Sequence, residues 1–311
     1  MGPRPPDILR KSHAHTEGKT RAKGRQALRE ALDASLSEPA VWRALLIDLD
    51  GVVYRGDEPV AGAAETVRRI KAEQIPHLFV TNTTSRPREA IVVRLADFGI
   101  DVAIDEILAP PDAAADWLAA RGAKRLLLGV PEATGSAFGG FETLTLDEMA
   151  ARQKAAGATG EIPGVDAVVV GDLGKDWTFD RLNAAFRSLM GEPEPLLIAL
   201  GMTRYWHAPE GLRLDTAPFV VALSHASGVE PTVLGKPSAE FFRAALDRLG
   251  ATAGETAMIG DDIRVDVEGA KAAGLKGILV RTGKYRPGDL ELGIEPDLVL
   301  ESFADLVTSA Q

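Results

Sequence analysis

The chain has 311 residues, 45% of them hydrophobic, enough to bury a sizeable core and, at roughly 100–200 residues per domain, to form two domains. It contains no cysteine, which excludes disulfides, thiolate metal sites and cysteine nucleophiles. The net charge of −10 is uneven: residues 1–30 hold eight Lys/Arg against three acids, so the acidity lies in the remainder, where it gives no reason to expect a nucleic-acid partner.

No apolar run approaches the roughly 18 residues of a membrane helix. The N-terminal residues lack the charged-then-apolar layout of a secretory signal, so a cytoplasmic protein with no membrane contact is expected. Residues 1–40 read as a basic, disordered extension, poor in aliphatic residues and free of aromatics. Within it only 26–36 has helical periodicity, with Leu28, Ala31, Leu32 and Leu36 on one stripe.

The first strand is predicted over 43–49. Its run Ala44-Leu45-Leu46-Ile47 has no alternation, as expected of a strand buried on both faces of a parallel sheet. It runs into Asp48-Leu49-Asp50-Gly51. Ligands of open parallel sheets gather beyond the carboxyl ends of the strands, where these acids fall. Two carboxylates so close require a cation between them, or one of them protonated. The stretch therefore asks for a metal, for acid–base work, or for both.

A tight turn or small hairpin follows at 51–56, then a helix at 63–73, a strand at 77–81, a polar turn at 82–85 and a helix at 87–98. This alternation predicts a doubly wound α/β core. After Pro110-Pro111 the pattern changes. A helix at 112–121, strand 124–129, helix 147–156, strand 166–170, helix 178–190 and strand 195–200 form a second α/β unit, and 201–215 reads as an aromatic-rich loop. The first pattern resumes with helix 217–226, a short strand ending at Leu234, helix 239–249, strand 256–259, a helix to Ala273, strands 277–280 and 298–300, and helix 302–309. The expected domains are thus 41–109 with 216–311, interrupted by an inserted 110–215.

Strand ends carry the chemistry. Asp261 and Asp262 end one strand with Asp266 shortly after; Thr81 and Asn82 end another; Lys236 follows a third. Adjacent strands would gather these groups with Asp48 and Asp50 at one rim. An oxygen-only donor set favours a hard cation such as Mg²⁺. Each residue also has an ordinary alternative. Asp261 or Asp262 would serve equally as a helix cap, Thr81 as a turn residue and Lys236 as a surface lysine.

Asp48-Leu-Asp50-Gly-Val52, Val80-Thr-Asn-Thr83, Gly235-Lys-Pro237 and Gly260-Asp-Asp262 with Asp266 resemble, in order and spacing, the four motifs of the haloacid dehalogenase superfamily. The insert is similar to the large C2-type α/β cap of the NagD-like subfamily. Asp166-Ala-Val-Val-Val-Gly171, Thr203-Arg-Tyr-Trp206 and Arg281-Thr-Gly-Lys-Tyr285 look like the group that includes phospholysine phosphohistidine inorganic pyrophosphate phosphatases. The resemblance spans about 41–309. It departs from the pattern in the N-terminal extension and in a longer stretch at 141–164.

The resemblance implies a Mg²⁺-dependent phosphatase acting on small phosphorylated molecules. Asp48 would be the nucleophile that forms an aspartyl-phosphate, and Asp50 the acid and base. Thr81, Asn82 and Lys236 would hold the phosphoryl oxygens. Asp48, the Asp50 carbonyl and Asp261 would bind the metal, with Asp262 and Asp266 in support. Arg204, Tyr205, Trp206 and His207 are candidates for substrate choice in the cap, and a homodimer through the cap is expected. The alternatives are a phosphotransferase with an acceptor other than water, and a binding protein that keeps the pocket without turnover.

Overall fold

The structure is a computed structural model describing residues 42–157, 164–208 and 210–306. The expected helix 26–36, and residues 307–309 of the helix expected at 302–309, lie outside the described residues; the described part of the latter is a short turn, Phe303–Asp305, rather than a helix.

β1 (Ala44–Asp48) is followed by a small antiparallel hairpin, β2 (Tyr54–Arg55) and β3 (Glu58–Pro59). α1 (Ala63–Ala72), β4 (His77–Val80), α2 (Arg88–Asp97) and β5 (Ile107–Leu108) come next. The chain then runs through α3 (Pro110–Ala119), β6 (Arg125–Gly129), α4 (Glu132–Gly135), β7 (Glu142–Thr145), α5 (Leu146–Ala156), β8 (Ala167–Val170), α6 (Phe179–Leu189) and β9 (Leu196–Ala199). A hairpin of β10 (Tyr205–Ala208) and β11 (Gly211–Leu214) precedes α7 (Ala217–Ser227) and β12 (Pro231–Val233). Last come α8 (Ala239–Leu249), β13 (Thr256–Gly260), α9 (Gly269–Ala272), β14 (Lys276–Val280) and β15 (Leu298–Leu300).

Two parallel sheets result. The six-stranded sheet has the order β15-β14-β13-β1-β4-β5, so it is doubly wound with β1 near its centre. Leu45 and Ile47 pack into one apolar cluster with Phe79 and Ile259, while Leu46 packs into another with Phe241 and Met258. Both faces of β1 are therefore covered, as its unbroken apolar run requires. The smaller sheet has the order β12-β9-β8-β6-β7.

The return to the first unit differs from the expectation. β12 pairs with β9, and α7 packs through Val220 and Leu223 on the core of the five-stranded sheet. Both elements belong to the smaller sheet rather than to the unit expected to resume at 216. The reason is the apolar stripe of α7, which buries against α6 and β9 instead of the larger sheet. The segment 201–215 likewise differs, being a paired hairpin rather than a loop. No helix of the described residues is long and apolar enough to cross a membrane.

Candidate active site

β1 pairs with β13 on one side and β4 on the other, so Asp48, Asp261 and Thr81 emerge together at the carboxyl edge. Asp48 is the last residue of β1 and is 7% exposed. Asp50 has already left the strand and is exposed, its backbone bridged to Tyr54. The two carboxylates therefore meet very different surroundings.

Lys236 arrives from the other sheet and is buried. Its Nζ lies 2.8 Å from Asp48 Oδ1 and 2.7 Å from Asp266 Oδ1. Burial alone pulls an ammonium toward losing its proton, but Asp266 and Asp48 outweigh that and hold Lys236 charged, above the ordinary lysine range. Asp48 Oδ1 also accepts from Leu49 N at 2.8 Å. One oxygen of Asp48 is thus fixed by both a cation and a backbone donor.

The Asn82 side chain faces Lys236. Its Oδ1 accepts from Lys236 N at 2.8 Å and its Nδ2 donates to Lys236 O at 2.9 Å. The amide is spent on holding the lysine. Thr81 is buried, and its Oγ1 accepts from Thr83 N at 3.2 Å, shaping the loop behind β4.

Asp261 is almost fully buried, and its Oδ2 accepts from Lys284 N at 2.6 Å. Its Oδ1 is buried without a partner. Burial first, and the nearby Asp48 second, push the carboxyl up to about 6. The backbone presses close around it: a Cβ on Gly51 or on Gly283 would stand 1.9 Å from Asp261 Oδ2, and both glycines have left-handed φ. Asp262 turns away. Its Oδ1 accepts from Arg264 N and Val265 N, both at 3.0 Å, capping the helical turn Ile263–Glu268. Asp266 within that turn accepts from Asp262 N through Oδ2 at 3.1 Å.

Carboxylate oxygens of Asp48, Asp261 and Asp266 lie within 4.8 Å of one another. A buried carboxylate oxygen with no hydrogen bond is costly, and like charges this close repel. A divalent cation relieves both. The oxygen-only donors suit Mg²⁺ or a similar hard ion.

A cavity of about 540 Å³ opens over Asp48, Asp50, Thr81, Asn82 and Lys236. Trp206 of the β10–β11 hairpin lines it, whereas Arg204 and Tyr205 are exposed and lie outside its lining. His207 pairs its backbone with Leu212, and its side chain lies outside the description. Tyr54, Arg94, Asp172, Asp215 and Lys284 are among the lining residues that escape a reading of the sequence. Lys284 lies in the Arg281–Tyr285 run that carries part of the family resemblance, and that run is its available signal.

Two family models match: haloacid dehalogenase-like hydrolase over residues 45–136 and HAD-hydrolase-like over 233–306. Over 272 residues the chain is 36% identical to phospholysine phosphohistidine inorganic pyrophosphate phosphatase of Bos taurus, covering 86% of this chain and 92% of that one. The chain belongs to the haloacid dehalogenase superfamily. It is a hydrolase of that superfamily, a phosphatase. Another superfamily relative, haloacid dehalogenase-like hydrolase domain-containing protein 2 of Bos taurus, is 37% identical over 267 residues, 85% of this chain and 94% of that one. Among solved superfamily structures, p-nitrophenyl phosphatase from Archaeoglobus fulgidus superposes with a TM-score of 0.73 at 30% identity, covering 85% of this chain and 97% of that one. NagD from E. coli, at 24% identity and a TM-score of 0.71 over 86% of this chain and 99% of that one, shares the fold.

Proposed function

We propose that this phosphatase hydrolyses small phosphorylated molecules with Mg²⁺, through a phosphoryl group carried on Asp48. The observation that supports this best is the pairing of buried Asp48 with Lys236 and Asp266 beneath the cavity. A carboxylate kept charged and aimed by a fixed ammonium is poised as a nucleophile.

Asp48 attacks phosphorus, forming an Asp48–O–P bond as the bond from phosphorus to the leaving oxygen breaks. Asp50 gives its proton to that oxygen. Asp50 then takes a proton from water as the water oxygen attacks phosphorus, and the bond to Asp48 breaks to release phosphate and regenerate the carboxylate. The exposure of Asp50 fits a group that must meet solvent, while the burial of Asp48 fits one that must exclude it. Lys236, the Thr81 hydroxyl and backbone N–H groups around Asn82 would hold the phosphoryl oxygens. Asp48, the Asp50 carbonyl and Asp261 would bind the metal, with Asp266 in support. When bound, the metal supplies positive charge against the transferring group. Asp262, as a helix cap, has only an indirect part.

In this reading the six-stranded sheet is the catalytic core and the five-stranded sheet, through Val233, is the cap that selects substrate. Asp172, Thr203, Trp206 and Asp215 are among its contacts with the cavity. The names of the Bos taurus relative make pyrophosphate, phospholysine and phosphohistidine the first compounds to assay. The exposed Tyr205, Leu212 and Leu214 of the β10–β11 hairpin mark the surface through which a homodimer would pair. The deciding test is release of phosphate from p-nitrophenyl phosphate by purified protein with Mg²⁺. Asp48→Asn should abolish it; activity surviving in that variant would sink the covalent route.

A further inference from the structure

The β2–β3 hairpin contributes Tyr54, Gly56 and Asp57 to the cavity wall, yet each of its strands has two residues. An isolated hairpin so short does not hold itself together in water. Burial of Val52 and Val53 and the Thr282 hydroxyl's bond to Gly51 O hold its base, and Arg94 on α2 holds its tip. The Arg94 guanidinium carbon lies 4.6 Å from the Tyr54 ring centroid and 5.7 Å from that of Phe98. The two rings are themselves in tilted contact, 5.8 Å apart. The same guanidinium donates to Gly56 O and, at 3.1 Å, to Asp57 Oδ1. The Asp57 side chain is fully exposed, so its ion pair contributes little. The contact over the buried Tyr54 ring, with the exposed carbonyl bond beside it, makes the clamp.

What the clamp holds matters because the hairpin holds Asp50. Gly51 N donates to Tyr54 O at 2.7 Å, and the Asp50 backbone is bridged to Tyr54. Asp50 itself is exposed and has left the strand, so β1 does not fix it. The route from Arg94 to Asp50 therefore runs through one buried tyrosine.

We propose that Arg94 is a positioning residue for Asp50: by clamping Tyr54 and Gly56 it fixes the backbone from which the Asp50 carboxyl reaches the leaving oxygen. The inference rests on the acid–base role of Asp50 proposed above. Its distinguishing consequence is a dependence on the leaving group. An alkoxide must be protonated as it departs, whereas p-nitrophenolate leaves without help, so in the phosphorylation step, which kcat/KM reads, a displaced Asp50 penalises only the first; water attack on phospho-Asp48 uses Asp50 for both esters alike.

Arg94→Met and Arg94→Lys test this with an alkyl phosphate and p-nitrophenyl phosphate. Arg94→Met should lower kcat/KM on the alkyl phosphate about tenfold or more, part of the roughly 10²–10⁴ that positioned proton transfer supplies, with less than about threefold loss of kcat/KM on p-nitrophenyl phosphate. The acidic group in its alkyl phosphate pH profile should weaken. Arg94→Lys, which keeps a cation over the ring, should recover part of the loss. Hydrogen exchange at the Gly51 and Tyr54 amides should accelerate in Arg94→Met. Equal loss of kcat/KM on both esters (the mark of direct phosphate binding), or unchanged exchange at Gly51 and Tyr54, would each overturn the proposal. Wild-type protein that turns over neither ester would overturn the phosphatase reaction scheme instead, and the exchange measurement would still decide the clamp.

Discussion

Asn82 and Lys236, 154 positions apart, exchange two backbone-to-side-chain hydrogen bonds of 2.8 and 2.9 Å. The amide reads the lysine backbone as a donor and an acceptor at once, which only an amide of fixed orientation can do. Asn82→Asp preserves shape but replaces the donor with an acceptor facing Lys236 O. It should lower kcat about tenfold or more while destabilising the fold by about 1–3 kcal/mol, the cost of leaving a buried polar group unpaired. Steady-state rates alongside denaturant unfolding check this. Wild-type kcat in the variant would show that the clasp has no part in placing Lys236.

Lys236 stands between two buried carboxylates, at 2.8 and 2.7 Å. Lys236→Met leaves both without their cation, so a loss of about 3–5 kcal/mol of stability is expected, together with loss of activity. Divalent metal should restore more stability to this variant than to wild type, because it takes over the charge that Lys236 set between Asp48 and Asp266. Thermal unfolding with and without Mg²⁺ measures the difference.

Asp261, held up to about 6 by burial and Asp48, sets a pH dependence. Its folded value lies above the ordinary carboxyl value, so the metal-free folded state binds more protons than the unfolded state between about pH 4 and 6. Stability from this group is complete below that window and is lost as pH rises through about 6. Metal binding requires the ionised form and reverses the trend, so the Mg²⁺-induced rise in Tm should grow across the same window. Asp261→Asn should flatten both curves. A Mg²⁺ effect on Tm that is constant from pH 5 to 8 would contradict the assignment.

Gly283 approaches Asp261 so closely that an added Cβ would stand 1.9 Å from Oδ2 and 2.6 Å from Gly51 Cα, at a φ of +63°. Gly283→Ala must displace Asp261 or the turn, in a backbone region that costs a side chain about 1–3 kcal/mol. Weaker Mg²⁺ binding by titration calorimetry, with the fold retained by circular dichroism, is the expected result. Gly288→Ala, where a Cβ meets nothing within 4 Å, is the control.

Much of the larger sheet and its rim is legible in the amino-acid sequence. The apolar run 44–47 announces a strand covered on both faces, and the acids that end it fall where parallel sheets place ligands. Other features are not legible, for physical reasons. An apolar stripe such as that of α7 states that it will be buried but not against which sheet, so periodicity alone puts β12 and α7 with the wrong one. The exposed Leu212, Leu214 and Tyr205 hide the alternation that would mark the β10–β11 hairpin. Asp262 offers the same carboxylate to a metal as to a helix, and only geometry shows it bonded to Arg264 N and Val265 N. The clasp of Asn82 on Lys236 has no local signal, since its partner lies in a distant segment.

Leu234 N donates to Ala199 O in the smaller sheet at 2.8 Å, and Lys236 N donates to Asn82 beside the larger one at 2.8 Å. A single residue, Gly235, separates the two attachments, and a Cβ there would meet Leu200 O at 2.6 Å. The polypeptide therefore runs taut from one sheet to the other at the one point where the ammonium is delivered. Any tilt of the five-stranded sheet against the six-stranded one would pull first on the segment that carries Lys236.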